Sequence, residues 1–238
     1  MAGRQVTVGE EEYLQTLFWL QEAGLGMNAA NLARALQLSA PTVHEMVGRL
    51  ERDGYITRDA NRTISFTPEG AAHAERIVAR HRLIERFLTD VLDVPWDEVH
   101  EQAESLEHGM SAELEERIRA KLGEARHCPH GHPIVLGERE PGVPLADVSV
   151  GARVEVLRFE NEAQDILRYL KRAGFEPGLK GVVVAADQAE VAVEAEGGRR
   201  CVLTRSVAET VSVRADPSPP PRTALPEYIT LGHDRYGR

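Results

Sequence analysis

The hydrophobic residues of the first 70 positions follow a helical period in three segments and then alternate in two short ones. Apolar residues spaced three and four apart, as in the stripe of Tyr13, Leu17 and Leu20, predict amphipathic helices. Ser39 is a suitable N-cap for the third helix, whose first turn tolerates Pro41. The predicted elements are helices over residues 9–23, 28–36 and from Ser39 to Gly54, then strands over residues 55–58 and 63–67. Three helices and a hairpin in this order predict a winged helix-turn-helix domain over residues 1–73.

Three further helices are predicted in the middle of the chain, over residues 68–92, 99–110 and 111–122. Each carries a broad apolar face. The faces comprise Leu83, Ile84, Phe87, Leu88 and Val91 on the first helix, and Leu106, Met110, Leu114 and Ile118 on the other two. Such faces must be buried against another surface, and a second copy of the chain is the expected partner. We therefore predict a helical dimerisation domain over residues 74–136.

The last third of the chain changes to short alternating strands around one helix. The strands are predicted over residues 152–159, 180–185, 190–195, 200–204 and 210–213, and the helix over 164–173. Small antiparallel modules of this kind are typically five-stranded SH3-like barrels, which we assign to residues 150–214. Residues 137–149 are predicted to be a linker, and the proline-rich residues 215–238 an extended tail. The predicted fold class is mainly α with small β: an N-terminal winged helix-turn-helix, a helical dimerisation domain and a C-terminal SH3-like β-barrel.

Composition narrows the classes of function. The 238 residues carry a formal net charge of −10, which argues against binding nucleic acid through bulk charge. The chain lacks an apolar run of about 18 residues or more, so we expect no membrane span. The N-terminal residues lack the apolar core of a signal peptide. Cys128 and Cys201 lie far apart, which fits a reduced cytoplasm better than a disulfide framework.

Two short runs contain candidate metal ligands. They are His81 with Glu85, and His100 with Glu104, Glu107 and His108. On a helix, His81 and Glu85 share one face, and the members of the second run fall within an arc of about 100°. Carboxylate and imidazole together suit divalent transition ions. The alternatives are a solvated acidic face for the second run and an ordinary ion pair for the first.

The ordered set of motifs resembles the diphtheria-toxin-repressor family of iron- or manganese-dependent bacterial repressors. The similarity extends over nearly all of residues 7–214. The motifs are Gly9-Glu-Glu-Glu-Tyr-Leu, Ser39-Ala-Pro-Thr-Val, Arg49-Leu-Glu-Arg-Asp-Gly-Tyr, His81-Arg-Leu-Ile-Glu, Val99-His-Glu-Gln-Ala-Glu-Ser-Leu-Glu-His and Cys128-Pro-His-Gly-His-Pro-Ile. The resemblance implies a homodimeric, metal-activated transcriptional regulator that binds palindromic double-stranded operator DNA and represses metal-uptake genes.

The resemblance also implies two metal sites. The primary site would use Glu12, Glu104, Glu107 and His108. The second would use His81, Glu85 and His100, and in some family members the first of these histidines serves both sites. From the third domain, Glu162 and Asp165 fit the spacing of additional ligands, with Glu160 and Gln164 as rivals.

The choice of metal depends on two departures from the iron-type pattern. Iron-type members carry Met at the position of Glu12 and Cys at that of Glu104. Exchanging soft sulfur for hard oxygen moves the preference towards Mn(II), with Fe(II) as the second candidate. Manganese-type members tend to carry a second acid one turn on, where this chain has Gln15, and their small members often lack the third domain.

A further run, containing His127, Cys128, His130 and His132, has the residue types of a metal site. Its prolines and glycine favour a rigid linker instead, because structural ligand sets usually need a second cluster to complete the coordination shell. Cys201 lies in a strand pattern and is expected in the core.

The surface that would contact DNA is predicted from the third helix and the wing. It comprises Ser39, Pro41, Thr42, His44, Glu45 and Arg49 on the helix, and Arg58 and Arg62 on the wing. Residues 1–73 carry six arginines against nine acidic residues, so the metal-free protein should bind DNA weakly. We expect no enzymatic activity. The alternatives are a di-metal hydrolase, for which the sequence offers neither a glycine-rich phosphate loop nor a nucleophile motif, and a metal buffer without DNA function.

Overall fold

A computed structural model of the protein describes residues 6–219. Most of the predicted proline-rich tail, residues 215–238, lies outside the described residues, while residues 215 and 216 form the end of a strand. No helix in the described part is long and apolar enough to cross a membrane.

The N-terminal part forms the predicted winged helix-turn-helix. Its elements are α1 (Val8–Glu22), α2 (Ala29–Ala35), α3 (Ala40–Arg52), β1 (Ile56–Arg58) and β2 (Ile64–Phe66). The N-caps are those that the sequence favours: Asn28 accepts a hydrogen bond from the third residue of α2, and Ser39 does the same for α3. Leu14, Leu32 and Leu50 are fully buried at the centre of this core.

A long helix connects the N-terminal part to the rest of the molecule. This is α4 (Pro68–Leu92), followed by α5 (Val99–Glu107) and α6 (Ala112–Leu122). Gly70 allows α4 to pass close to the wing, because a Cβ there would lie 1.8 Å from the Tyr55 carbonyl oxygen. Leu92, Leu106 and Leu114 remain exposed, which leaves an apolar surface on these helices in the single chain.

The C-terminal part is an antiparallel sheet of six strands among the described residues, in the order β3-β8-β4-β5-β6-β7. The strands are β3 (Val143–Pro144), β4 (Arg153–Phe159), β5 (Lys180–Ala186), β6 (Glu190–Ala195), β7 (Arg200–Thr204) and β8 (Val211–Asp216), with α7 (Gln164–Ala173) and the short α8 (Arg205–Ala208). The predicted closed barrel is wrong, because the outer strands β3 and β7 are not hydrogen-bonded to each other. Cys201 is buried in this core, as expected.

The predicted linker, residues 137–149, takes part in this domain. Its Val143 and Pro144 pair with β8, and the 3₁₀ turn Leu145–Asp147 follows directly. Leu145 and Val148 are buried in the same core as Phe159. The sequence pattern missed this strand because it is two residues long and includes a proline, which is tolerated at a sheet edge.

The C-terminal domain is docked against the turn between α4 and α5. The Trp96 ring packs on Phe159, with ring centroids 5.6 Å apart. Lys171 of α7 pairs with Asp97 of the turn, and Gln164 donates a hydrogen bond of 3.2 Å to Glu101. These contacts bring the start of α7 next to the first turn of α5.

Candidate metal centre and nucleic-acid interface

A buried carboxylate, Glu85 of α4, lies at the centre of one group of polar side chains. Its Oε1 atom lies 3.0 Å from His81 Nε2 and 3.0 Å from His100 Nδ1. His81 is one helical turn away on α4, and His100 is in the first turn of α5, which packs against α4. The sequence-predicted second site therefore assembles from the spacing of four on α4 and the packing of α5.

The third domain contributes Glu162 to the same group. One Glu162 oxygen lies 3.0 Å from His100 Nδ1, and the other lies 3.5 Å from His130 Nδ1 and 3.3 Å from His132 Nε2. One ligand atom each from His81, Glu85, His100 and Glu162 lie within 4.8 Å of one another. Asp165, the other candidate, is exposed and accepts a hydrogen bond from the Ile166 backbone, so the structure does not bring it to this group.

The two rivals for the third-domain position also lie elsewhere. Glu160 accepts hydrogen bonds from Arg158 and Arg139, at 2.8 and 2.7 Å, and Gln164 donates to Glu101. Of the four acidic or amide side chains considered, Glu162 is the one whose oxygens face the histidines.

Cys128 and His130 are the ligand candidates that sequence reasoning set aside as linker. Both are buried, and His130 Nδ1 lies 3.2 Å from Glu85 Oε1. Glu85, Cys128 and His130 offer a second set of ligand atoms within 4.8 Å of one another. The further ligands that this run lacks in sequence are supplied by Glu85 and Glu162, which lie far from it along the chain. The glycine in this run is the sequence feature that indicates its close packing. Gly131 has φ +92°, and a Cβ there would lie 2.0 Å from the Leu157 carbonyl oxygen. The run is therefore pressed onto β4.

These six residues, His81, Glu85, His100, Cys128, His130 and Glu162, are called the Glu85 cluster below. Burial alone would lower the pKa of His100, but hydrogen bonds to Glu162 and Glu85 outweigh it and raise the pKa to about 9. Burial is likewise outweighed by carboxylates at His81 and His130, whose pKa values are raised well above the ordinary value. Burial raises the pKa of the Cys128 thiol to about 11. At neutral pH the cluster thus balances its carboxylates with protonated imidazoles.

A second group of side chains joins α1 to the end of α5, and we call it the Glu107 cluster: Glu107, His108, Gln15 and Glu11. Gln15 Nε2 donates a hydrogen bond of 3.2 Å to Glu107 Oε2. Glu11 accepts a hydrogen bond of 2.8 Å from His108 Nδ1, and the pKa of His108 is raised by that bond. His81 Nδ1 lies 2.6 Å from Glu107 Oε2, so His81 contacts both clusters.

The predicted primary site is brought together in part. Glu107 and His108 are adjacent, with Oε1 and Nε2 3.4 Å apart. Glu104 approaches the Glu85 cluster, with Oε1 3.8 Å from His100 Nε2. Glu12 is half-buried and its charge contributes to the raised pKa of His108, and Glu11 accepts the hydrogen bond from His108. Sequence reasoning did not include Glu11 among the ligands, because neighbouring acids on one turn cannot be distinguished without the packing of α1. Gln15 lies where manganese-type members carry a second acid, and it contacts Glu107 here.

The donor atoms of both clusters suit a divalent transition ion. Three of the buried atoms that make no hydrogen bond within residues 6–219 are Glu85 Oε2, Glu107 Oε1 and His108 Nε2. A buried polar atom without a hydrogen bond costs free energy, which a coordinated cation would offset. Oxygen and imidazole nitrogen dominate the set, with one thiol from Cys128.

Comparisons with known proteins agree with this geometry. Residues 6–63 match the N-terminal DNA-binding domain of iron-dependent repressors, residues 67–136 match their metal-binding and dimerisation domain, and residues 143–215 match the FeoA domain. The iron-dependent repressor IdeR of Mycobacterium tuberculosis is 34% identical over 219 residues, covering 85% of this chain and 95% of that protein. The chain belongs to the iron-dependent repressor family.

Solved structures agree with the assignment to the iron-dependent repressor family. A manganese-dependent transcriptional repressor in complex with manganese superimposes with a TM-score of 0.78 at 30% identity, covering 86% of this chain and 98% of that one. The T. acidophilum IdeR gives a TM-score of 0.72 at 28% identity, covering 88% and 98%. The relatives thus include both iron- and manganese-dependent repressors.

The part of the chain that matches the repressor family's DNA-binding domain exposes most of the predicted DNA-contacting residues. On α3 and its cap these are Ser39, Pro41, Thr42, His44 and Glu45, and on the wing Arg58 and Arg62. Arg58 pairs with Glu51, and Arg49 pairs with Glu10 through a contact of 2.8 Å. Acidic residues therefore neutralise two of the predicted cationic contacts.

Proposed function

We propose that this protein is a metal-activated, homodimeric transcriptional repressor, with Mn(II) as the favoured activator and Fe(II) as the second candidate. The observation that carries the proposal is that two buried ligand clusters join α1, α4, α5, the Cys128–His132 run and the third domain. In the proposed division, residues 1–73 bind DNA and 74–136 hold metal and dimerise. Residues 150–214 form the FeoA-type domain, together with residues 143–148 of the predicted linker.

The Glu107 cluster supports the coupling between metal and DNA. Glu11 and Gln15 lie on α1 of the DNA-binding domain, whereas Glu107 and His108 lie at the end of α5. A divalent ion held by Glu11, Gln15, Glu107 and His108 would supply positive charge at this position. Side chains of α1 and of the end of α5 that bind the same ion would hold α1 against α5. With α1 fixed, the two recognition helices of a dimer keep one separation, so that both enter successive major grooves of a palindromic site.

The exposed apolar surface of the middle helices supports the dimer. Leu106 and Leu114 are each about half exposed, at 50% and 48%. Exposed leucines on consecutive helices are typical of a surface that a partner covers. A second copy of the chain is the partner that a dimerisation domain implies.

The donor set supports Mn(II) over Fe(II). The Glu107 cluster offers carboxylate, amide and imidazole groups, and hard oxygen donors favour Mn(II) over softer ions. Cys128 in the Glu85 cluster favours a softer ion, which is why Fe(II) remains the second candidate. Measuring which metal copurifies, then titrating DNA binding with each ion, separates the two.

The test is duplex binding as a function of metal. Operators are selected from a random duplex library in the presence of Mn(II), and affinity is then measured with Mn(II) and with a chelator. We expect Mn(II) to increase affinity, and Glu107→Gln or Glu104→Ala to abolish most of the increase. Glu113→Gln is the matched control, because Glu113 lies on the exposed face of α6. Chelator-insensitive binding, or a normal metal response in Glu107→Gln, contradicts the proposal. A di-metal hydrolase is not favoured, because the relatives are transcriptional repressors.

A further inference from the structure

One side chain of the first turn of α1 faces away from the metal ligands and towards the recognition helix. Glu10 is fully buried. Its Oε2 atom accepts hydrogen bonds from the Thr7 backbone at 2.8 Å and the Thr7 hydroxyl at 2.9 Å, completing a capping box. Its Oε1 atom lies 2.8 Å from Arg49 Nε. The carboxylate is thus held at both oxygens, and one of its partners belongs to α3.

Arg49 lies in the last turns of α3 and is about one third exposed, at 37%. Its Nε atom is also 3.9 Å from Asp53. The guanidinium is therefore shared by two acids, one of them buried, which balance its positive charge. A buried carboxylate loses much of its free energy of hydration, so removal of its cationic partner is unfavourable.

The backbone of α1 also lies close to α3. A Cβ added at Gly9 would lie 3.6 Å from Met46 Cε, so the first turn of α1 packs directly on α3. Glu11, which follows Glu10, contacts His108, and Gln15 contacts Glu107. The adjacent residues Glu10 and Glu11 therefore reach the recognition helix on one side and the Glu107 cluster on the other, and Gln15 reaches that cluster one turn later.

We propose that Glu10 and Arg49 are positioning residues that connect the metal-binding turn of α1 to the recognition helix, and that Arg49 makes no phosphate contact. The inference rests on the proposed function and adds to it the path by which metal acts on α3. Because Thr7 fixes the Glu10 carboxylate, a first turn that is held by metal holds Arg49 and the end of α3 with it. Metal and DNA then favour one arrangement of α1 and α3, which makes their effects reciprocal.

The test compares Glu10→Gln, Arg49→Gln and the double variant with wild type in the full-length dimer. Three quantities are measured: the Mn(II) affinity without DNA, the ratio of DNA affinities with and without Mn(II), and the salt dependence of DNA binding at saturating Mn(II). Arg52→Gln is the matched control, since Arg52 is an exposed arginine of the same turn.

We expect each single variant to keep Mn(II) affinity within about twofold and to lower the activation ratio by about tenfold, a typical size for coupling between sites. The double variant should lower it no further, because the two residues act as one pair. The salt slope should be unchanged. Arg52→Gln should leave the activation ratio unchanged.

Three results overturn the inference. A normal activation ratio in Glu10→Gln would show that the pair transmits nothing. A fall of about one unit in the salt slope of Arg49→Gln, with the ratio intact, would make Arg49 a phosphate contact. Additive losses in the double variant would mean that the residues act separately.

If Glu10→Gln fails to fold, Arg49→Lys, which keeps the charge and loses the Nε geometry, provides the same three readouts. A wild-type protein that ignores Mn(II) contradicts the proposed function itself, whereas the results above leave that function intact.

Discussion

Metal binding to the Glu85 cluster is predicted to release protons and to become stronger as pH rises. His81, His100 and His130 all have raised pKa values, because neighbouring carboxylates outweigh the effect of burial. A histidine must be neutral to ligate a metal. Each ligating imidazole must therefore lose its proton as the ion enters, and this cost falls as pH increases.

The size of the effect follows from His100, whose pKa is about 9. At pH 7 its imidazole is about 99% protonated, so deprotonation costs roughly 2.7 kcal/mol, or about a factor of 100 in apparent affinity. His81 and His130 add to this in the same direction, since their pKa values also lie above the ordinary one. Between pH 6.5 and 7.5 the apparent affinity should rise about tenfold for each protonated histidine that ligates.

Isothermal titration calorimetry with Mn(II), in buffers of different ionisation enthalpy, counts the protons released. We expect at least one proton per ion at pH 7 from His100, and about one fewer in His100→Gln. His73→Gln is the matched control, because burial lowers the pKa of His73 and its ring contacts Tyr55, outside the Glu85 cluster. A pH-independent affinity between pH 6 and 8, with no proton release, would refute the assignment of protonated histidines to the cluster.

The same shifts predict the stability of the protein in chelator. A histidine with a raised folded-state pKa stabilises the fold below its unfolded pKa and loses that contribution as pH rises through the folded value. For His100 the window runs from about 6.5 to about 9. The pKa values of Glu85 and Glu162 are lowered, since histidines outweigh burial, so their contribution is present above about 4.5 and is lost in acid. The melting temperature in chelator should therefore fall between pH 7 and 9.

Three further outcomes are expected. Glu162→Gln should weaken Mn(II) binding to the Glu85 cluster by about 10- to 100-fold. Asp165 is exposed in the first turn of α7, so Asp165→Asn should leave the Mn(II) binding isotherm unchanged. Leu114→Asp should shift the sedimentation profile from dimer to monomer, and a dimer that persists would exclude this face from the interface. Gly131→Ala should lower the unfolding midpoint by several degrees, because its Cβ would meet the Leu157 carbonyl; an unchanged midpoint would mean that the run is not pressed onto β4.

The helices were predictable because local rules determine them. The ends of α1, α2 and α3 lie within two residues of those expected from apolar spacing, and Asn28 and Ser39 act as N-caps. The pairing of His81 with Glu85 was predictable for the same reason, since a spacing of four on a helix fixes their proximity.

The missed features depend on contacts between distant segments. Cys128 and His130 belong to the Glu85 cluster because Glu85 of α4 and Glu162 of the third domain lie next to His130. The contact of Glu11 with His108 depends on how α1 packs against α5. The edge strand β3 is too short for an alternating pattern to show. Periodicity contains none of this information.

The third domain contributes a side chain to the Glu85 cluster, the candidate metal centre. Glu162 reaches His100 because β4 and α7 are held against the α4–α5 turn by the packing of Trp96 on Phe159 and the pairing of Lys171 with Asp97. A chain truncated after residue 136 would keep the Glu107 cluster and lose Glu162, which leaves His100 and His130 with one anionic partner fewer. Relatives without this domain are therefore poor guides to the Glu85 cluster. Metal bound at the Glu85 cluster would depend on the position of the third domain, and metal bound at the Glu107 cluster would depend on the position of α1. His81 contacts both clusters.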